Sequence, residues 1–105
     1  MDEVFKALAD ETRRQLLDRL FMSNGQSLGM LCRQLDMSRQ AVTKHLLILE
    51  EADLVTVRRQ GREKLHDLNP VPLAQVSRQW LSKFIQRQFN ELATVPSSQQ
   101  DKDND

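Results

Sequence analysis

Helical periodicity carries the first half of this chain and stops at Leu54. Before that point apolar residues recur at i, i+3 and i+4. After it, in LVTVRRQGREKLHDL, Val55 and Val57 alternate with polar neighbours around a central Gly61. A helix repeats about every 3.6 residues and a strand about every 2, so the chain must be a run of helices followed by a β-hairpin. Asn69-Pro70 and Pro72 separate the hairpin from the C-terminal stretch, and Pro72 suits the first turn of one more helix. That helix is predicted to carry a wide apolar stripe of Leu73, Val76, Trp80 and Phe84, flanked by Leu81, Ile85, Phe89 and Leu92.

The helices of the first half announce their own ends. Asp2 and Asp10 are N-cap residues by type, the first before Val4, Phe5 and Leu8, the second before the stripe Leu16, Leu17, Leu20 and Phe21. Asn24-Gly25 ends the second helix, because both residues tolerate positive φ. Ser27 caps a third helix, LGMLCRQL, with Leu28, Leu31, Cys32 and Leu35 on one face. Asp36 and Met37 make a tight turn, and Ser38 caps a fourth helix running to about Ala52. At 105 residues this is a single domain, mainly α, with about five helices and a small β-hairpin. It is expected to occupy residues 1–93. Residues 94–105 are polar and low in complexity, and are predicted to be a disordered tail.

Several classes of protein are excluded early. No apolar run approaches the roughly 18 residues of a membrane span, and the first residues lack a signal-peptide layout. Cys32 is the only cysteine, so no intramolecular disulfide forms. The chain reads as cytoplasmic. Its formal net charge is zero, which argues against non-specific attraction of the whole molecule to a polyanion. Yet Arg58, Arg59, Arg62 and Lys64 crowd into seven residues beside a single acid, Glu63. A local basic cluster on a neutral chain suits a protein of which one face meets nucleic acid.

The fourth helix points the same way. In SRQAVTKHLLIL, residues 38–49, Val42, Leu46 and Leu49 share one side and must face a core. Gln40, Thr43, Lys44 and Leu47 lie opposite, with Arg39 and His45 on the flanks, and no acid is among them. Gln can read adenine, Arg and Lys guanine, and Thr or an apolar side chain the thymine methyl. A short helix, a tight turn and then such a helix make a helix-turn-helix, whose second helix enters the major groove. Its candidate groove contacts are Ser38, Arg39, Gln40, Thr43, Lys44 and His45. The basic hairpin adds a wing, with Arg58, Arg59, Arg62 and Lys64 as candidates for backbone or minor-groove contact.

LADETRRQLLDRL, SRQAVTKHLLIL and LVTVRRQGR together resemble the ArsR/SmtB family of bacterial winged-helix repressors, over residues 3 to about 92. The resemblance implies a homodimeric regulator of transcription, usually a repressor released by a signal and bound to a palindromic operator. It also implies dimerisation through the first and last helices, here Val4, Phe5 and Leu8 with Leu73, Val76, Trp80, Leu81, Phe84, Ile85, Phe89 and Leu92. The family's metal sites do not carry over. Ser27 and Gly29 stand where paired cysteines would align, Cys32 stands alone on an apolar face, and residues 70–93 hold no histidine. No metal or other cofactor is implied, and the inducer is left open.

Two other readings compete. Catalysis would need a nucleophile–base pair or a carboxylate constellation, and adjacent Glu50, Glu51 and Asp53 read as solvated surface at a helix end. A winged helix used for protein contacts is compatible with zero net charge, but would favour an acidic outer face on the fourth helix. Trp80 and Phe84 could line a small-molecule pocket at a dimer interface; aromatics at this spacing are more often interface core.

Overall fold

Three helices of the first half start on side-chain caps placed where the sequence puts them. Asp10 accepts from the Arg13 amide at 3.0 Å, Ser27 from Met30 at 3.3 Å and Ser38 from Ala41 at 3.1 Å. The computed structural model describes the backbone of residues 1–94 and the side chains of residues 1–92. The tail expected over 94–105 lies, apart from Thr94, outside the described residues. In order, the elements are α1 (Asp2–Leu8), α2 (Glu11–Met22), β1 (Gln26–Ser27), α3 (Leu28–Leu35), α4 (Arg39–Glu51), β2 (Val55–Gln60) and β3 (Glu63–Leu68). Next come α5 (Val71–Val76), a π-helical turn over Ser77–Leu81, and α6 (Ser82–Thr94). Asp2 is already helical, and Met1 holds the cap position of α1 without a side-chain bond.

The chain divides between Leu73 and Ala74 into two compact units. The core of the first is a set of branched side chains with no exposed surface: Leu16, Leu20, Leu31, Val42, Leu49 and Leu54. Phe21 does not join it and is 74% exposed, and Met22 beside it is 77% exposed. On a helical wheel Leu16, Leu20 and Leu17 span about 100°, and Phe21 lies a further 40° or so past that arc. The α3–α4 turn closes because Asp36 adopts a left-handed φ of 54° and its amide returns to the Cys32 carbonyl.

The hairpin turns out to be two strands of three. β1 pairs antiparallel with β3, Gln26 opposite His66 and Ser27 opposite Leu65, giving the order β1-β3-β2. Two buried polar residues hold this edge, and both find partners. His66 Nδ1 donates to the Gln26 carbonyl at 2.9 Å, and the Gln26 amide donates to the Arg19 and Ser23 carbonyls. Gly25 makes the entry. Its φ is +79°, and a Cβ there would meet the Arg58 guanidinium at 2.7 Å.

In the second unit the last helix is not uniform. The π turn adds a residue and rotates everything after it by about 100°. Val76, just before that turn, is buried, whereas every described side chain from Ser77 to Leu92 is exposed. Trp80 meets Phe84 edge-on at 5.1 Å, and the Lys83 ammonium lies 5.2 Å from the Phe84 ring centre. Among the described residues no helix is long and apolar enough to cross a membrane.

Candidate nucleic-acid interface

α4 is anchored by what it buries. Val42, Leu46 and Leu49 point into the core, leaving Ser38, Arg39, Gln40, Thr43, Lys44, Leu47 and Ile48 outside. Its charges run against the helix dipole, with Arg39 opening the first turn and Glu50 and Glu51 in the last. Each misplaced charge costs roughly 0.3–1 kcal/mol on an exposed helix, so helix stability does not account for them.

The outer residues of α4 fall into two rows. Arg39, Thr43 and Leu47 face a groove of about 840 Å³ between α3, α4 and the wing, and Arg62 and Lys64 line its far side. Gln40, Lys44 and Ile48 lie on the other row, beside the start of α2. The fold thus brings Arg39 and Thr43 together with Arg62 and Lys64 but sets Gln40, Lys44 and His45 apart from the wing. Ser38 is committed to capping. His45 is turned inward: its side chain is 21% exposed, with Nδ1 3.3 Å from an Arg13 guanidinium nitrogen and 3.7 Å from Asp10.

The wing residues also differ from one another. β2 and β3 pair in register from Val55 opposite Leu68 to Gln60 opposite Glu63. Gly61 at φ +65° then fills the first of two turn positions, where a Cβ would meet nothing, so backbone conformation alone asks for glycine. The register sets Arg59 directly opposite Lys64. Like charges so placed repel unless an anion lies between or near them. Arg58 is placed otherwise than the basic run suggests. Its Nε donates to Asp67 at 2.7 Å on the neighbouring strand, and that bond and charge raise its pKa further.

One groove residue, Arg33, escaped the sequence reading. The guanidinium nitrogens of Arg33 and Arg39 lie 3.5 and 3.6 Å from where a Cβ on Gly29 would stand, so two arginines converge over the first turn of α3. A signal existed: glycine is a poor helix former, yet Gly29 sits inside α3 one turn before Arg33, on the same face. The convergence itself spans two helices and could not be read from either.

Asp10 has a carboxyl held below the ordinary carboxylate range. The Arg13 amide it caps is the largest cause, opposed by partial burial and aided by the charges of His45 and Arg13. Cys32 is half-buried on α3. Among the described residues no three of His, Cys, Asp or Glu come together as a metal site would require.

A family model described as a helix-turn-helix domain matches residues 8–58, which run from the end of α1 into β2. The chain is 38% identical over 101 residues to the transcriptional regulator Rv2034 of Mycobacterium tuberculosis, covering 95% of this chain and 92% of that one. It is 34% identical to the transcriptional repressor SdpR of Bacillus subtilis, covering 88% of this chain and all of SdpR's length (100%). Among solved structures, an ArsR-like transcriptional regulator from Rhodococcus sp. RHA1 superposes with a TM-score of 0.75 at 34% identity, over 90% of this chain and 85% of that one. Likeness over nearly the whole length, with the helix-turn-helix and wing at its centre, places the chain in the ArsR/SmtB family of winged helix-turn-helix transcriptional regulators.

Proposed function

We propose that this regulator is a homodimeric repressor that binds a palindromic DNA operator, acting in the cytoplasm by binding rather than catalysis. The observation that carries the reading is the outer face of α4, where exposed Arg39, Gln40, Thr43 and Lys44 are anchored by a buried apolar face. In this reading Gln40, Thr43 and Lys44 meet base edges in the major groove. The phosphate strand flanking that groove runs through the cleft between α4 and the wing, against Arg39, Arg33, Arg62 and Lys64. Arg59 follows the strand at the wing's edge. Arg58 steadies the wing through Asp67, Ser38 starts the helix, and His45 supports it from within.

Dimerisation rests on a separate observation. Phe84, Ile85, Phe89 and Leu92 of α6 are each more than half exposed. Burying a large apolar side chain contributes about 1.5–3 kcal/mol, and an exposed patch of this kind marks an interface. By the family resemblance the interface also takes in α1, where Phe5 is 37% exposed and Leu8 half-buried, and Leu73, Trp80 and Leu81 of the C-terminal helices. Val4 and Val76 are buried within the chain already and take no large part.

Selection of bound duplexes from a random DNA pool tests both points. The expected result is one motif repeated as an inverted half-site about one helical turn apart. Recovery of no enriched sequence would overturn the proposal in favour of a winged helix used for protein contacts. A single unrepeated half-site would overturn the dimer.

A further inference from the structure

The inward-facing His45 does not belong to the outer row, and its surroundings are specific. Arg13, at the start of α2, spends its guanidinium on three partners in two other helices, α1 and α4. Nε donates to the Ala7 carbonyl at 2.8 Å, one terminal nitrogen to the Lys6 carbonyl at 3.1 Å, and the other lies 3.3 Å from His45 Nδ1. The same Nδ1 is 3.7 Å from a carboxylate oxygen of Asp10. One imidazole nitrogen therefore faces a donor and an acceptor at once.

We propose that His45 is a proton-sensitive link between the DNA-reading helix and the α1–α2 corner, with Arg13 and Asp10 as its positioning residues. The proposal rests on the DNA-binding reading above. Arginine has only N–H donors, so the Arg13 bond requires a lone pair on Nδ1, which fixes the neutral ring with its proton on Nε2. When Nδ1 gains a proton it can no longer accept from Arg13, and two cations then face each other. The imidazolium is left with the Asp10 carboxylate, which its own cap bond keeps ionised. Arg13 stays on the α1 carbonyls but loses α4. The charged groups around the ring are Asp10 and Arg13 from α2 and Lys44 from α4 itself, while α1 contributes the Lys6 and Ala7 carbonyls. Gln40 and Lys44 line the same hollow, so a small tilt of α4 at His45 moves the residues proposed to read bases. The link thus makes operator affinity fall as the solution turns acid.

Two measurements on the full chain test this, one without DNA. Long-range nitrogen–proton NMR of the imidazoles at about pH 8 should show His45 with its proton on Nε2, and Arg13→Gln should shift its Nδ1 signal. A proton on Nδ1 in the neutral ring would overturn the link whatever the protein binds. Binding to the selected operator should then weaken about three- to tenfold between about pH 8 and pH 5.5, the range in which imidazoles titrate. His45→Asn, which keeps an acceptor near the Nδ1 position, should bind as well as wild type at pH 8 and change less than twofold across the range. Arg13→Gln should be weak and flat; if it does not fold, His45→Asn carries the test alone. Wild-type affinity that rises in acid with a steeper salt dependence would make His45 a phosphate contact and overturn the proposal. So would a flat wild-type profile. Failure to bind any DNA would instead defeat the operator reading, and the NMR result would still decide the link.

Discussion

α4 and α6 are the same length, 13 residues each, and their exposed faces are chemical opposites. α4 buries Val42, Leu46 and Leu49 and shows solvent arginine, glutamine, threonine and lysine. α6 buries no described side chain and shows solvent Phe84, Ile85, Phe89 and Leu92. Within one chain α4 is thus a finished amphipathic helix, while α6 is half of one. The difference teaches where each helix finds its apolar partner: α4 meets its core inside the fold and turns a polar, basic face outward, and α6 has its apolar side still to cover. A face that is polar and free of acid suits a polyanion; a face that is apolar and aromatic suits a copy of itself.

The comparison breaks most sharply if the α6 face is made polar. Phe84→Glu with Phe89→Glu should convert a dimer to a 12.2 kDa monomer in light scattering and lower operator affinity by well over a hundredfold, since each half-site then binds alone. A dimer that survives the double change would place the interface elsewhere. Next comes the inner face of α4. Leu49→Ala should destabilise the fold by about 2–5 kcal/mol in urea unfolding, because the site is fully buried among branched neighbours that relax only partly. A loss under 1 kcal/mol would show that the core there is loose.

The outer face of α4 should respond without loss of stability. Gln40→Ala should cost about 1–3 kcal/mol of discrimination at one base position. Arg62→Ala should weaken all sequences alike and reduce the log K against log salt slope by about 1 per contact, doubled in a symmetric dimer. Titrations of operator and scrambled DNA at several salt concentrations distinguish the two, and a reversed pattern would exchange the roles of helix and wing. The smallest effect is at Asp10. Asp10→Ala should cost about 1 kcal/mol for the lost cap. Because the folded carboxyl titrates below its unfolded value, this stabilisation is complete above the ordinary carboxylate range and disappears as pH falls through the lowered folded-state value. The difference between Asp10→Ala and wild type should therefore shrink in acid melts; a constant difference would rule out the charge as its source.

How much of this was legible depended on range along the chain. The caps Asp10, Ser27 and Ser38 act on amides three residues away, so residue type and spacing reveal them. The sides of α4 follow from a 100° rotation per residue, and so Val42, Leu46 and Leu49 are buried as expected. β1 was missed because two residues carry no alternation to detect. Phe21 was misplaced because composition marks it apolar, while only the position of the neighbouring helices decides how wide the buried arc of α2 is.

The candidate interface divides along the same line. Sequence alone determined that α4 would present arginine, glutamine, threonine and lysine outward and that a basic wing would come after it. Those are properties of one helix and one hairpin, each set by local periodicity. Tertiary structure decided which of these groups act together. It took Arg58 for Asp67, nine residues away, and turned His45 toward Arg13, 32 residues away. It also brought Arg33 to Arg39 over Gly29. Such pairings depend on how packed elements cross, and the crossing is fixed by the shapes of Leu16, Leu31, Leu49 and their neighbours in the core. Charge is written in the chain, but whether a charge is spent inside the fold or left for a ligand is a matter of distance, and distance comes only with packing.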